Sequence, residues 1–193
     1  MSKQFLFLSY KRGPNTTPVI ERLFSRITVQ LQGREVVPFF DRKSIEAGEP
    51  WEAGIDNFIA KTTLFVAFIS IDFWLSDQCR RELDLAIHRY EIEKAPKLLF
   101  VLADQLDPND LAFDKEAARK QLAEAVPDEA KLEQVEDAAR RVATVRGIGQ
   151  FNFLGPYDDH SGALVRLMFE DPVKADLQLA QLVESIKQLK VLA

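Results

Sequence analysis

Residues 63–90 read TLFVAFISIDFWLSDQCRRELDLAIHRY and join a strand pattern directly to a helix pattern. The segment Thr63–Ser70 is almost uniformly apolar, which is typical of a parallel strand buried on both faces of a sheet. From Ser76 onward apolar residues recur at helical spacing, and Ser76 followed by Asp77 favours a helix start at this point. The stretch therefore predicts a central strand followed by an amphipathic helix.

Glu82 occupies an unusual position on that predicted helix. At about 100° per residue, it falls beside Cys79 and Ala86 on the edge of the apolar stripe. A carboxylate at such a boundary most often pairs with a neighbouring arginine, and Arg81 and Arg89 are the candidates here. The other interpretation is that Glu82 has a functional role, and the sequence pattern alone does not decide between the two.

The rest of the chain alternates strand patterns with helix patterns. Further strands are expected at 4–10, 36–41, 97–103 and 151–154, and helices at 17–33, 51–61, 113–126, 128–145 and 172–191. Pro38 removes one backbone donor, which favours an edge position for the second strand. Periodicity assigns Leu177 to the inner face of the last helix. We therefore expect a flavodoxin-like α/β fold, a doubly wound parallel sheet of about five strands with helices on both faces.

Length and composition restrict the class of protein further. The 193 residues suit a single domain, 1–193, with an extended helical segment at 105–146 and a C-terminal helix at 172–191. A net charge of −5 argues against binding to nucleic acid or to an anionic membrane. The single cysteine and the absence of a signal-peptide pattern at the N-terminus favour a cytoplasmic location. Cys79, His88 and His160 do not form a metal-binding pattern, so no metal site is expected.

Three stretches, in this order, resemble the conserved boxes of one family. Phe5–Arg12 reads FLFLSYKR, Phe39–Trp51 reads FFDRKSIEAGEPW, and Ser76–Leu83 reads SDQCRREL. They resemble the first box, the second box with its BB loop, and the catalytic segment of a TIR (Toll/interleukin-1 receptor homology) domain of the bacterial, NAD-cleaving type. The Phe-Trp pair of the family's third box is not evident, and residues 105–146 exceed what a minimal TIR domain needs.

The resemblance implies that the chain cleaves the bond between nicotinamide and ribose in NAD, which is a substrate and not a cofactor. The products would be nicotinamide and either ADP-ribose or a cyclic ADP-ribose isomer, in bacterial antiphage defence. Glu82 would then be the catalytic carboxylate, since a departing pyridinium needs no general acid and one carboxylate can stabilise the oxocarbenium charge. The expected substrate-binding residues are Ser9, Tyr10, Lys11, Arg12, Phe40, Asp41, Trp51, Trp74, Ser76 and Cys79.

Each group of candidates also has a plainer explanation. Lys11 and Arg12 suit the phosphate oxygens of NAD, but they are equally typical of solvated loop charges. An aromatic face for a base is expected from Phe40 or Trp51, although tryptophans more often anchor helices by packing, as Trp74 would. Cys79 is expected to be a small core residue and not a nucleophile, because the sequence supplies no evident base for it.

Other functions remain compatible with the sequence. A non-enzymatic adaptor would use the BB-like loop, 42–50, for contacts between TIR domains, but it gives Glu82 no role. An enzyme resembling a nucleoside deoxyribosyltransferase would use Glu82 as a nucleophile on a substrate without a pyrophosphate. A phosphoacceptor receiver domain is disfavoured because the first strand ends in Ser-Tyr without an acidic pair. The family resemblance also implies homotypic TIR association and a sensor or effector partner on a separate chain.

Overall fold

The computed structural model describes residues 4–13, 16–30, 36–39, 51–102, 120, 123–124, 128–144, 150–151 and 172–188. Its strands are β1 Gln4–Ser9, β2 Val36–Phe39, β3 Leu64–Ile69, β4 Lys97–Leu102 and β5 Gln150–Phe151. Its main helices are α1 Thr16–Gln30, α2 Trp51–Lys61, α3 Ile71–Leu75, α4 Asp77–Glu93, α5 Glu129–Thr144 and α6 Pro172–Gln188. The strands form one five-stranded sheet in the order β2-β1-β3-β4-β5.

Strand β3 lies at the centre of this sheet, as its apolar sequence predicts. Every residue of β3 is buried, because helices cover both faces of the strand. Along its full length β3 pairs in parallel with β4, from Leu64 opposite Lys97 to Ile69 opposite Leu102. Its other neighbour is β1, which pairs in turn with β2. Strand β2 is therefore at the edge, where the missing donor of Pro38 is tolerated.

Two hydrophobic clusters cover the two faces of the sheet. On one face, the inner sides of α1 and α6 pack against β1, β3 and β4, with Ile20, Leu23 and Leu182 fully buried. On the other face, α2, α3, α4 and α5 pack against the alternate side chains of the same strands. Side chains of a strand alternate between faces, so one strand supplies both clusters. The predicted doubly wound fold is thus confirmed.

The structure differs from the sequence-based expectation just before Ser76–Leu83, the stretch that resembles the catalytic segment of the family. A separate short helix, α3, precedes α4, and the Ser70 hydroxyl caps it by accepting a hydrogen bond from the Phe73 amide at 3.1 Å. Ser76 then caps α4, as expected, by accepting a hydrogen bond from the Cys79 amide at 3.4 Å. Ser76 is in an extended conformation, with φ −87° and ψ 112°, and separates the two helices, so α3 and α4 are two helices and not one.

The assignment of Leu177 to the inner face of α6 is wrong. Leu177 is 60% exposed, whereas Leu179 is fully buried. The two leucines lie about 200° apart around the helix axis, so they cannot share a face. The buried residues Leu179, Leu182 and Ile186 follow the helical spacing, and they set the phase of α6 against α1.

Several expectations fall on residues that the structure does not describe. They are the loop at 42–50, most of the helix predicted at 113–126, and the part of the fifth strand beyond Phe151. The helix predicted at 128–145 corresponds to α5. Among the described helices, none has the length and apolar character that crossing a membrane requires. The single-domain organisation over 1–193 and the cytoplasmic location stay predictions.

Candidate active site at the carboxyl end of the sheet

Glu82 lies on the face of α4 that packs against the sheet, and only 7% of it is exposed. The Ser9 hydroxyl, at the end of β1, donates a hydrogen bond to Glu82 Oε2 at 2.7 Å. The Gln78 side-chain amide, one helical turn before Glu82, donates to Glu82 Oε1 at 3.0 Å. Each carboxylate oxygen therefore accepts a hydrogen bond from a side chain of defined position.

The structure does not pair Glu82 with Arg81 or Arg89, the two arginines that the sequence offered as partners. Arg81 forms its ion pair with Asp56 of α2, at 2.6 Å. Arg89 forms its ion pair with Glu93 at 2.8 Å, and its guanidinium also donates to two backbone carbonyls at the end of α2. Both arginines thus hold α4 against α2, and the boundary-residue interpretation of Glu82 is wrong in this respect.

A cavity of about 340 Å³ opens beside the Glu82 carboxylate. It is lined by Phe7, Leu8, Tyr10, Lys11, Arg12, Phe39, Ile55, Ser76, Gln78, Cys79 and Glu82. The rings of Phe7 and Phe39 are stacked with their centroids 4.9 Å apart, and with Ile55 they give the cavity an apolar side. An apolar surface with a few convergent polar groups is typical of a small-molecule site.

The cavity also lies where this fold class binds its ligands. Open parallel sheets bind ligands beyond the carboxyl ends of their strands, near the point where the strand order reverses. In the order β2-β1-β3-β4-β5 that point lies between β1 and β3. Tyr10, Lys11 and Arg12 follow the last residue of β1, and Phe39 is the last residue of β2. The topology therefore brings these residues to the same edge as Glu82.

Arg80 fixes the beginning of α4, from which three side chains line the cavity. Its guanidinium donates to the backbone carbonyl of Trp74 and pairs with Asp77. It also donates to Gln134 of α5, at 3.0 Å. The side chain of Arg80 is only 11% exposed, so these contacts are held in a packed environment. The start of α4 is consequently attached to both α3 and α5.

The structure brings together many of the residues that the sequence singled out. Among the expected substrate-binding residues, those that line the cavity with Glu82 are Tyr10, Lys11, Arg12, Ser76 and Cys79. Ser9 reaches the site through its hydrogen bond to Glu82. Phe40 and Asp41 lie outside the described residues, and Trp51 begins α2 with a side chain of which the structure gives no description.

Trp74 is not among the residues that line the cavity. It is fully buried in the core, where its indole packs edge-to-face on Phe73 with ring centroids 5.7 Å apart. The indole N–H has no hydrogen-bond partner in the described part of the chain. A tryptophan in this setting is a packing residue, so its assignment to substrate binding is corrected.

Five residues that line the cavity were not singled out from the sequence, namely Phe7, Leu8, Phe39, Ile55 and Gln78. Gln78 precedes Glu82 by one helical turn, and the spacing of four residues on a helix is a signal that was available for it. Phe39 was not singled out, because the sequence does not show which side chains of a strand face a cavity. The register of β2 places Phe39 opposite Phe7 of β1, and both rings line the cavity.

The Cys79 thiol should be unreactive in the folded protein. The Cys79 side chain is 4% exposed. Burial is the main cause that raises the pKa of the Cys79 thiol from 9.0 to about 12, and the negative charge of Glu82 acts in the same direction. The hydrogen bond to Ser76 and the positive charges of Lys11 and Arg80 lower this pKa, but by less. Because the thiolate is the reactive form, alkylation by iodoacetamide at about pH 8 should be negligible in the native state. It should become complete after denaturation, and should begin in the native state only as the pH approaches 12.

Mass spectrometry of the intact protein measures this directly, since the chain has one cysteine. Native alkylation at the rate of the denatured protein would show that Cys79 is accessible and ionised, and would contradict the packing role.

Comparisons with known proteins agree with this architecture. A family model described as a TIR domain matches residues 6–137. Matches were found to 21 chains of solved structures. One comprises the TIR domains of the activated Roq1 resistosome that directly recognises the pathogen effector XopQ. It is 15% identical, covers 95% of this chain and 99% of that chain, and has a TM-score of 0.61. A comparison with curated proteins gave no match.

Proposed function

The chain belongs to the TIR domain family, and we propose that it cleaves the bond between nicotinamide and ribose in NAD. The family includes both NAD-cleaving enzymes and signalling modules, so membership alone does not decide between catalysis and scaffolding. The geometry around Glu82 favours catalysis.

The observation that carries this proposal is a buried carboxylate placed at the wall of a cavity. Glu82 is 7% exposed, yet it lines a cavity of about 340 Å³ and is held there by Ser9 and Gln78. Burial of a carboxylate costs free energy unless it is compensated, so such a group in a concave site is a good candidate for function. A scaffold that acts through surface loops gives no reason to place it there.

The chemistry follows from the leaving group. When the glycosidic bond breaks, its electron pair goes to the pyridinium nitrogen, and nicotinamide departs neutral without being protonated. The positive charge moves to the ribose ring as an oxocarbenium ion. The Glu82 carboxylate stabilises that charge electrostatically from the wall of the cavity. Water then captures the cation to give ADP-ribose and releases one proton. Alternatively, an adenine nitrogen or a ribose hydroxyl of the same molecule captures the cation to give a cyclic isomer, and capture by a hydroxyl likewise releases the hydroxyl proton.

Lys11 and Arg12 should contribute to binding the pyrophosphate of the substrate. Both line the cavity, and their side chains are exposed on its rim. Replacing both by Ala should raise KM by about tenfold or more with a smaller effect on kcat, because a phosphate contact remote from the broken bond stabilises substrate and transition state alike. Steady-state kinetics measures the two constants separately.

The matched control removes the same charges elsewhere. Lys61 and Arg140 lie on α2 and α5, and neither lines the cavity. Their double replacement by Ala should leave KM unchanged. If KM rises equally in both double variants, the effect is one of overall charge. If neither variant changes KM, Lys11 and Arg12 do not bind the pyrophosphate of NAD.

The proposed setting is an assembly in bacterial antiphage defence. Similar TIR domains belong to an activated resistosome that recognises a pathogen effector, which supports homotypic association and a separate sensor or effector partner for this chain as well. On this proposal the activity of the isolated chain should depend on its concentration. The product is a property to be measured.

Nicotinamide release from NAD by the purified protein, at low and at high protein concentration, tests the proposal. Mass analysis of the second product separates ADP-ribose, which has gained water, from a cyclic isomer, which has not. Release that increases with assembly supports the NAD-cleaving function. A wild-type protein that stays silent even when it is crowded or forced to associate would overturn that function and favour the adaptor that acts through the loop at 42–50.

A further inference from the structure

Each oxygen of the Glu82 carboxylate accepts a hydrogen bond from a side chain, and these two donors come from different elements. The Ser9 hydroxyl reaches Oε2 at 2.7 Å from β1, and the Gln78 amide reaches Oε1 at 3.0 Å from α4. We propose that Ser9 and Gln78, together the carboxylate clamp, are positioning residues that orient Glu82 for catalysis. This inference rests on the proposed function, because it concerns the same reaction.

Both members of the clamp are themselves fixed. Ser9 is 1% exposed and pairs in register with Ala67 of the central strand β3. Gln78 stands in the first turn of α4, whose start is held by the Ser76 cap and by the contact of Arg80 with α3. Rotation of the carboxylate about its terminal torsion is otherwise nearly free, since that torsion has only broad minima. Two donors on rigid elements remove this freedom.

The donors of the clamp are neutral, which matters for the reaction. A hydroxyl and an amide orient the group while contributing only dipoles. The other titratable side chains that line the cavity are Tyr10, Lys11, Arg12 and Cys79, and the adjoining residues of β2 and α2 are the apolar Phe39 and Ile55.

Kinetics of nicotinamide release in Ser9→Ala and Gln78→Leu test the clamp. Each variant should lose about tenfold or more in kcat, the size expected for one hydrogen bond to a charged group, with KM changed by less than about twofold. Loss of kcat without a change in KM means that the missing interaction acts in the transition state. A purely structural role would lower the amount of folded enzyme and not its pH profile.

The isosteric variant Gln78→Glu gives the sharper readout. It replaces a donor by a second carboxylate at the same place, and a like charge opposes the ionisation of Glu82. The acid limb of the pH profile of kcat should therefore move to higher pH in Gln78→Glu. It should move in the same direction, but less, in Ser9→Ala and Gln78→Leu, because each removes a donor to the charged form.

Two control variants match the clamp residues in type but do not touch Glu82. Ser70 is a buried serine at the end of the neighbouring strand, and its hydroxyl accepts from the Phe73 amide. Gln134 on α5 accepts a hydrogen bond from Arg80. Ser70→Ala and Gln134→Leu should leave the pH profile in place, even where they lower the denaturation midpoint.

The outcomes separate this inference from the proposed function. An active wild type with lowered kcat and a displaced acid limb in the clamp variants alone supports the clamp. An active wild type whose kcat and pH profile are unchanged in Ser9→Ala and Gln78→Glu overturns the clamp and leaves the NAD-cleaving function intact. A wild type without nicotinamide release overturns the function itself, and the clamp with it.

Discussion

Glu82→Gln should lower kcat for nicotinamide release by about a hundredfold to a thousandfold, the range found when one group that stabilises developing charge is removed from an enzyme. The substitution keeps the shape of the side chain and removes only its negative charge. Glutamine can still accept one of the two hydrogen bonds from the carboxylate clamp, so the fold should persist. The comparison of wild type and variant by nicotinamide release, with circular dichroism as the check on folding, measures the effect.

A second buried glutamate provides the control for Glu82→Gln. Glu136 on α5 is 5% exposed and forms an ion pair with Arg140, and it does not line the cavity. Glu136→Gln should therefore keep nicotinamide release close to that of the wild type. If Glu82→Gln retains more than about a tenth of the wild-type kcat, less than 1.4 kcal/mol of transition-state stabilisation has been lost and the catalytic charge is supplied by another group.

Phe65→Ala should reduce the free energy of unfolding by about 3–5 kcal/mol, as for other phenylalanines removed from a packed core. Phe65 is fully buried in the central strand, and its ring stacks on that of Phe7 with centroids 5.3 Å apart. Because whole domains are stable by only about 5–15 kcal/mol, the variant should lose a large part of its stability. Urea denaturation followed by circular dichroism gives the difference.

The matched control for Phe65→Ala is an exposed apolar residue. Ile92 on α4 is 68% exposed, so Ile92→Ala should change the free energy of unfolding by less than about 0.5 kcal/mol.

Since Phe7 also stacks on Phe39 at the cavity, Phe65→Ala should weaken the apolar side of the site as well. Equal denaturation midpoints for wild type and Phe65→Ala would mean that the core at β3 collapses around the missing ring.

The main elements of the fold could be predicted from local patterns. The apolar run 63–70 indicates a buried strand, and Pro38 indicates an edge strand, because both statements depend on the chemistry of a few neighbouring residues. The phase of α6 was harder to predict, since Leu177 and Leu179 are equally apolar. Only the packing of α6 against α1 shows that Leu179 is the inner one.

The candidate site was also predictable only in part, because local patterns identify unusual residues but do not show how they pack. The position of Glu82 on the edge of an apolar stripe identified it as unusual, and the family resemblance assigned it a role. Trp74 was placed among the binding residues, yet it is fully buried in the core. Closeness in sequence does not give the direction in which a side chain points.

The sequence by itself determined the order of the strands and helices other than α3, the burial of β3, and the candidacy of Glu82, since these follow from periodicity and residue type. The tertiary structure alone decided that Glu82 bonds to Ser9 and not to Arg81 or Arg89. The hydrogen bond between Ser9 and Glu82 joins residues 73 positions apart. Such a bond depends on the register of β1 beside β3 and on the rotation of α4 above them, and both are settled only when the core packs.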